Sequence, residues 1–439
     1  MIYKKDLTPK LFIKFIIPSI LMMVCISLYT IIDALFIARF INVQALGALN
    51  IVLPVYSIAF ACGIMFATGG GAIIGIQLGE NKKEQASRNF TQLILVGVIF
   101  GILATIICLF FRVPLITALG ATGKLTPYAL DYGLYAILSF PFLISKIIFE
   151  NMLRVDGKPA LALVCTILGG IVNIVLDYIL IVHAKMGIAG AGLGTLIGIG
   201  ITLPISFYYF SSKKSLLSFR ATRLDFSFIR NTCFNGSSEM VNEAALALSV
   251  FVMNMLALRQ YGEDGVPAIS IILNLHFLLS SIYIGFSEGV MPLLSYNYGA
   301  KNSEKIKKTF IYSRNFLFFT SPISFIVCIF FAPQLVQIFT NSDSNVYNIA
   351  LEGLRWFSIC FVFTGVNIFA SAMFTAFSNG KISALISFLK TFVFFIVGAL
   401  VLPLLFNSTG IWLIVPASEF IAIILAVILI RKYRKDYMY

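Results

Sequence analysis

An all-α integral membrane fold, with twelve transmembrane helices in two homologous six-helix bundles around a central cavity, is predicted for this 439-residue chain by three observations. The composition is too apolar for a soluble domain, the basic residues gather at alternate ends of the apolar runs, and the second half of the chain echoes the first. Hydrophobic residues make up 59% and charged residues only 12%, with a mean hydropathy of +0.96.

The apolar runs cover residues 11–38, 48–78, 91–118, 127–153, 160–182, 187–210, 232–258, 266–294, 310–339, 346–378, 382–406 and 409–430. Each reaches the roughly 20 residues that a helix needs to cross a hydrocarbon core of about 30 Å. Alternation at period two is absent, which excludes a β-barrel. The first run follows Lys4, Lys5, Lys10 and Lys14 without a small-residue cleavage site, so it reads as a retained span rather than a signal peptide.

A net charge of +13 could suggest nucleic acid, but the distribution is that of topology. On one side lie the four N-terminal lysines, three basic residues at 82–88, Arg154 with Lys158, five at 213–230, five at 301–314, Lys381 and four at 431–435. The opposite loops hold Arg39, Arg112, Lys124, Lys185 and Arg259, and Lys146, Arg355 and Lys390 fall within or near spans. The positive-inside rule then places both termini in the cytoplasm, consistent with an even number of spans. No nucleic-acid partner is expected.

The repeat is read from "IQLGENKKEQASRNF" at 76–90 and "YNYGAKNSEKIKKTF" at 296–310, where Gly79 matches Gly299, Glu84 matches Glu304 and Phe90 matches Phe310 at an offset of 220. "DGKPA" at 156–160 and "NGKIS" at 379–383 align at 223 through their shared Gly-Lys. Six spans per half make the repeats parallel, related by an axis along the membrane normal, an arrangement that encloses a cavity opened alternately by rocking. The expected organisation is an N-terminal lobe at 1–211, a basic linker at 212–231 and a C-terminal lobe at 232–439.

Chemistry in such a chain is sought among buried charges, because a carboxylate at mid-membrane is tolerated chiefly beside a cavity, a partner or a cation. Lys146 with Glu150 and Glu352 with Arg355 are spaced for pairing on one helix face. Glu288 lies toward the end of span eight, where hydration is expected, and Glu419 follows Pro416 in span twelve. Asp33 and Asp177 have no basic residue within a turn, and Asn173 shares the face of Asp177. Oxygen ligands for a small hard cation, or a proton carrier, are the natural readings. Glu239 and Glu243 place two acids on one face of span seven, where joint ionisation is disfavoured unless a cation is met. The seven scattered cysteines and two isolated histidines offer no metal-ligand spacing, and "GGG" at 69–71 lies inside a span without the Lys-Ser/Thr of a phosphate loop. An enzyme is therefore not expected.

Twelve spans in two halves, the loops "QLGENKKEQASR" and "YNYGAKNSEKIKK", and "LRVDGKPALAL" after span four resemble the multidrug and toxic compound extrusion (MATE) family over essentially the whole chain. The resemblance implies a cation-coupling site at Asp33, Asn173, Asp177 and Thr195, whose side chains would be the oxygen ligands if the ion is Na+. Pro18 and Tyr29 match the helix-one residues associated with bending and with the environment of that site. Glu243, with Glu239 one turn before it, falls nearest the acid used by the other branch of the family. The implied activity is secondary antiport by a monomer, exporting organic, often cationic amphipathic compounds against H+ or Na+, with no cofactor beyond the transported ion. Alternatives are a lipid-linked oligosaccharide flippase, expected to line its cavity with basic residues, or a narrow-substrate metabolite exporter of the same superfamily.

Overall fold

The computed structural model describes residue 3, residues 5–123 and residues 125–439; Lys4 and Lys124, used in the charge pattern above, lie outside the described residues. The helices are α1 (Pro9–Phe40), α2 (Val43–Gly79), α3 (Lys83–Phe110), α4 (Leu125–Val155), α5 (Pro159–His183), α6 (Ile188–Ser211), α7 (Phe226–Tyr261), α8 (Gly265–Gly299), α9 (Ser303–Phe330), α10 (Asn345–Ala376), α11 (380–406) and α12 (408–432). They are the twelve expected spans. α11 runs into α12 through Asn407, whose left-handed φ of 50° breaks what is otherwise one continuous helical stretch. Sequence-local caps set several starts: Thr8 accepts from Leu11 N at 3.3 Å, and Asn42 from Ala45 N at 2.7 Å.

Two spans begin earlier than their apolar runs. α3 starts at Lys83 rather than 91 and α9 at Ser303 rather than 310, because the polar first turns are held as helix by Glu84–Arg88 at 2.8 Å and Glu304–Lys308 at 2.6 Å. The apolar tails of both runs belong to short separate helices, Arg112–Ala118 and Ala332–Gln337.

The repeat is present in the backbone. α3 and α9 are each 28 residues long and are followed by those equivalent short helices. Asn81 and Lys301, 220 residues apart, both adopt left-handed φ, 62° and 52°. α4 breaks at Ser139 with a 47° bend, and α10 breaks at the tight turn Ser358–Cys360. Beyond these breaks the offset becomes 221: Gly157 (φ 81°) and Ser378 (φ 58°) end the two helices alike. The match of Gly157 with Gly380 is thus a correction, since the two glycines serve different needs. Gly157 supplies the left-handed turn, whereas a Cβ on Gly380 would stand 2.6 Å from Phe234 O.

The bundles meet through glycine. At the crossing of α2 with α8, a Cβ on Gly79 would strike the Tyr296 carbonyl oxygen, and one on the repeat-equivalent Gly299 would strike that of Ile76. Gly69 and Gly236 bring α2 and α7 together in the same way. The polar bonds between the bundles lie in the same half of the molecule: Arg154 with Glu288 at 2.7 Å, Asn235 donating to Gly69 O at 3.4 Å, Lys305 donating to Tyr3 O at 2.8 Å, and Tyr312 donating to Leu7 O at 3.4 Å. This is the half that carries both termini. Among the described residues no hydrogen bond or ion pair joins the bundles in the opposite half.

The segment after α6 is tied down by Asp156, which accepts from the Tyr209 hydroxyl at 2.5 Å, Ser215 Oγ at 3.0 Å, Leu216 N at 2.8 Å and Leu217 N at 2.9 Å. In a background lacking the native cysteines, Ser295→Cys is expected to resist a water-soluble maleimide, because Ser295 is 1% exposed. Adding Gly79→Val should make it react, since main chain cannot yield to the new side chain; unchanged protection would show that this crossing does not hold the half closed.

Candidate functional site

α1, α5 and α6 bring the four predicted coupling residues together. Asp177 is fully buried, Asn173 is 6% exposed, and Asp33 and Thr195 are half-buried. Asn173 Nδ2 donates to Thr195 Oγ1 at 3.3 Å. The Asp33 and Asp177 carboxyls are close neighbours. Yet Asp33 Oδ1 and both oxygens of Asp177 meet no donor among the described residues. Two carboxylates can make that approach only with a proton or a cation between them, since two adjacent negative charges away from water repel strongly.

Packing of α5 on α6 explains why the carboxylate fits. A Cβ on Gly194 would collide with Asp177 Oδ1, and one on Gly198 would lie 2.9 Å from Asn173 Cβ. The two glycines, four apart, face the two polar residues, four apart, on the neighbouring helix. Immediately beyond Asp177 the helix loosens into a π-turn, Tyr178–His183, an irregularity common at functional sites.

The surroundings are phenolic. Tyr29, one turn before Asp33, lies near both Asp33 and the Lys146–Glu150 pair, and its ring packs on Gly170. Tyr132 on α4 lies near Thr195 and both aspartates. Tyr56 on α2 adds a third ring near Asp33. Pro18 is remote from these groups. It sits where α1 crosses the other bundle, next to Ser19, whose carbonyl oxygen lies 2.6 Å from a Cβ built on Gly285.

Of the remaining intramembrane charges, Lys146 pairs with Glu150 at 3.0 Å, and Thr166 also donates to that glutamate at 2.7 Å. The expected Glu352–Arg355 pair is not formed: among the described residues neither side chain has an ion-pair or hydrogen-bond partner. Helical spacing permitted that contact without requiring it. Glu288, expected to be hydrated, is instead gripped by Arg154 from the other bundle. Glu239 and Glu243 share one face of α7 near Glu288, with Asn242 Nδ2 donating to Glu239 at 3.4 Å. Glu419 accepts from Asn367 at 2.6 Å and pairs with Lys390 at 3.4 Å. No cluster of three or more His, Cys, Asp or Glu side chains suited to a metal exists among the described residues.

A multi-pass membrane transporter for small molecules, not an enzyme, is the class this arrangement defines. The chain belongs to the MatE family, whose model matches residues 18–179 and again 240–401, one match in each half. It is 25% identical over 431 residues to the multidrug export protein MepA of Staphylococcus haemolyticus, covering 97% of this chain and 94% of that protein. The MepA of Staphylococcus saprophyticus is 24% identical over 93% of this chain and 89% of its own length. Among solved structures, an outward-facing multidrug resistance MATE family transporter of the MOP superfamily superposes with a TM-score of 0.92 at 22% identity, covering 99% of this chain and 98% of that one. A MOP superfamily transporter from Pyrococcus furiosus, described as having a binding pocket of reversed polarity, gives 0.92 at 21% identity, with coverage of 100% and 98%.

Sequence reasoning missed Tyr132, Tyr56 and Gly194. The tyrosines carry no signal, because the residue is common in spans, but the glycines at 190, 194 and 198 do: their four-residue spacing marks one helix face made for close approach. Gly194→Val is expected to force Asp177 off Asp33. Transport should fall by at least about tenfold, the consequence of losing about 1.4 kcal/mol from the site, in a protein that still reaches the membrane. Efflux normalised to membrane protein measures this, and full activity would show that the Asp177 position is not critical.

Proposed function

We propose that this protein exports organic, amphipathic, often cationic compounds in exchange for H+ or Na+ by alternating access, with Asp33 and Asp177 as the ion-carrying pair and Asn173 and Thr195 completing the site. The observation that carries the reading is the trio of buried carboxylate oxygens on these two aspartates that meet no donor. They are poised to accept what the electrochemical gradient delivers. The direct approach of carboxyl to carboxyl favours a proton over Na+. The relatives named as multidrug export proteins supply the cargo class.

On this reading both termini are cytoplasmic, the glycine-sealed half faces the cytoplasm, and the protein stands in an outward-open state as a monomer. Uptake of an ion at Asp33, on the far part of α1, is relayed along the helix to Pro18, where α1 leans on the other bundle. One elementary charge crossing 100 mV releases about 2.3 kcal/mol, enough to sustain a gradient of about 50-fold for a neutral cargo, whereas one-for-one exchange with a singly cationic cargo moves no net charge and draws on the ion's concentration gradient alone. The flippase alternative is weakened because Lys146, Lys390 and Arg154 are already paired with Glu150, Glu419 and Glu288, and Arg355 faces a groove on the outside of the second bundle.

The test is efflux of a cationic dye from preloaded, energised cells at matched membrane expression, with and without sodium at fixed pH. Wild type should export, and Asp177→Asn and Asp33→Asn should each abolish uphill export. The double variant should lose little more, because the two groups act as one unit. Retained efflux in Asp177→Asn removes the pair from the mechanism, and sodium dependence of the wild type would replace the proton by Na+.

A further inference from the structure

The unpaired charges of α10 face a groove on the outside of the second bundle. Its volume is about 590 Å³, and its walls include Phe325 and Ile329 of α9 and Glu352, Arg355, Trp356 and Ile359 of α10. The α10 residues fall three and four apart, so they form one stripe along the helix, while Ile349, Ala350, Gly353, Leu354 and Phe357 on the other side are buried. Glu352, Arg355 and Trp356 are exposed. Beside them on α9, Ile323, Ile326 and Phe330 are exposed as well, the surface of a helix that faces acyl chains.

The groove lies toward the end of the spans away from the termini. Ile329 is the penultimate residue of α9, and Arg355 stands ten residues after the start of α10, about 15 Å along it. A groove at the end of α9 is within reach of the headgroups, near which tryptophan is enriched and toward which arginine extends along its apolar stem. A guanidinium and a carboxylate one turn apart, each free of protein partners among the described residues, are costly there unless something else pairs with them.

The geometry points to a bound phospholipid with a primary-amine headgroup. Arg355 takes its phosphate through paired N–H donors, and Glu352 accepts hydrogen bonds from its ammonium. Phe325 and Ile329 flank the first part of an acyl chain, and the Trp356 ring lies at the glycerol level. A quaternary-amine headgroup offers Glu352 no N–H donor, and an anionic headgroup leaves that carboxylate opposed by negative charge. The zwitterionic stripe therefore selects against both. This inference is independent of the export reading and of the aspartate site.

The chain has two tryptophans, and Trp412 is buried, so Trp412→Phe leaves Trp356 as a reporter in the purified full-length protein. Phosphatidylethanolamine brominated on its acyl chains should quench this fluorescence saturably. It should bind about tenfold more tightly than brominated phosphatidylcholine or phosphatidylglycerol, the discrimination expected when a charged acceptor keeps or loses its donors. Glu352→Gln should erase the preference over phosphatidylcholine, and Arg355→Ala should weaken all three lipids. Equal quenching by the three, or tighter binding of phosphatidylglycerol, overturns the proposal. Because Trp412 is a core residue, native mass spectrometry of the otherwise unaltered protein with and without Arg355→Ala gives a second reading; undiminished retention of phosphatidylethanolamine in the variant also overturns it.

Discussion

Main chain meeting main chain at Gly79 and Gly299 is the contact on which the rest of this structure depends. With no Cβ on either residue, α2 and α8 approach until each helix lies against the other's carbonyl oxygens. In a membrane, where lipid tails are as apolar as leucine, such close packing is a main source of helix association. The two glycines are equivalent in the repeat, so the contact straddles the pseudo-twofold axis. It brings Gly69 to Gly236 and Arg154 to Glu288 in the same half. The side on which the bundles touch, and hence the side left without bonds between them, follows from this crossing.

The pseudo-symmetry of the backbone is not matched by the chemistry. In the first bundle Glu150 is paired with Lys146, but two aspartates face each other across α1 and α5 with no ion-pair partner among the described residues. In the second, Glu419 is served by Lys390 and Asn367, and its helix partner α11 loosens into a π-turn at Leu389–Phe394, containing Lys390, rather than beyond an acid. A paired acid has its charge fixed by its neighbour, whereas an unpaired one must take a proton or cation from outside. That difference marks Asp33 with Asp177 in the first bundle, and Glu239 with Glu243 in the second, as acids within the spans whose charge no ion pair fixes among the described residues.

Twelve spans and the repeat were legible because a hydrocarbon core demands length and apolarity, and the offset of 220 survives in both sequence and backbone. Asp33, Asn173 and Asp177 stood out because a carboxylate inside an apolar run is costly and must have a reason, while Thr195 and the roles of all four came from the family resemblance. Other features had no such signal. Helical spacing allowed Glu352 and Arg355 to meet, but their rotamers turn them to a groove. Arg154 read as a loop charge because its position at a helix end is the same whether it snorkels to water or reaches across to another bundle. Tyr132 is a tyrosine among 18, and only the fold places it beside Thr195.

The Arg154–Glu288 contact also constrains how the bundles separate. Both side chains are largely buried, and removing one partner from a buried pair costs far more than the pair contributes while intact. Opening this half therefore requires that each charge be taken up by something new. For Arg154 the Asp156 turn next to it leads toward water. For Glu288 the neighbouring acids are Glu239 and Glu243, which repel it when ionised and can donate to it only when protonated. An opened half thus exposes three acids with no arginine among them, a surface that draws in a cation. The same ion pair that seals this half thus ties separation of the bundles to the charge state of the acids beside it.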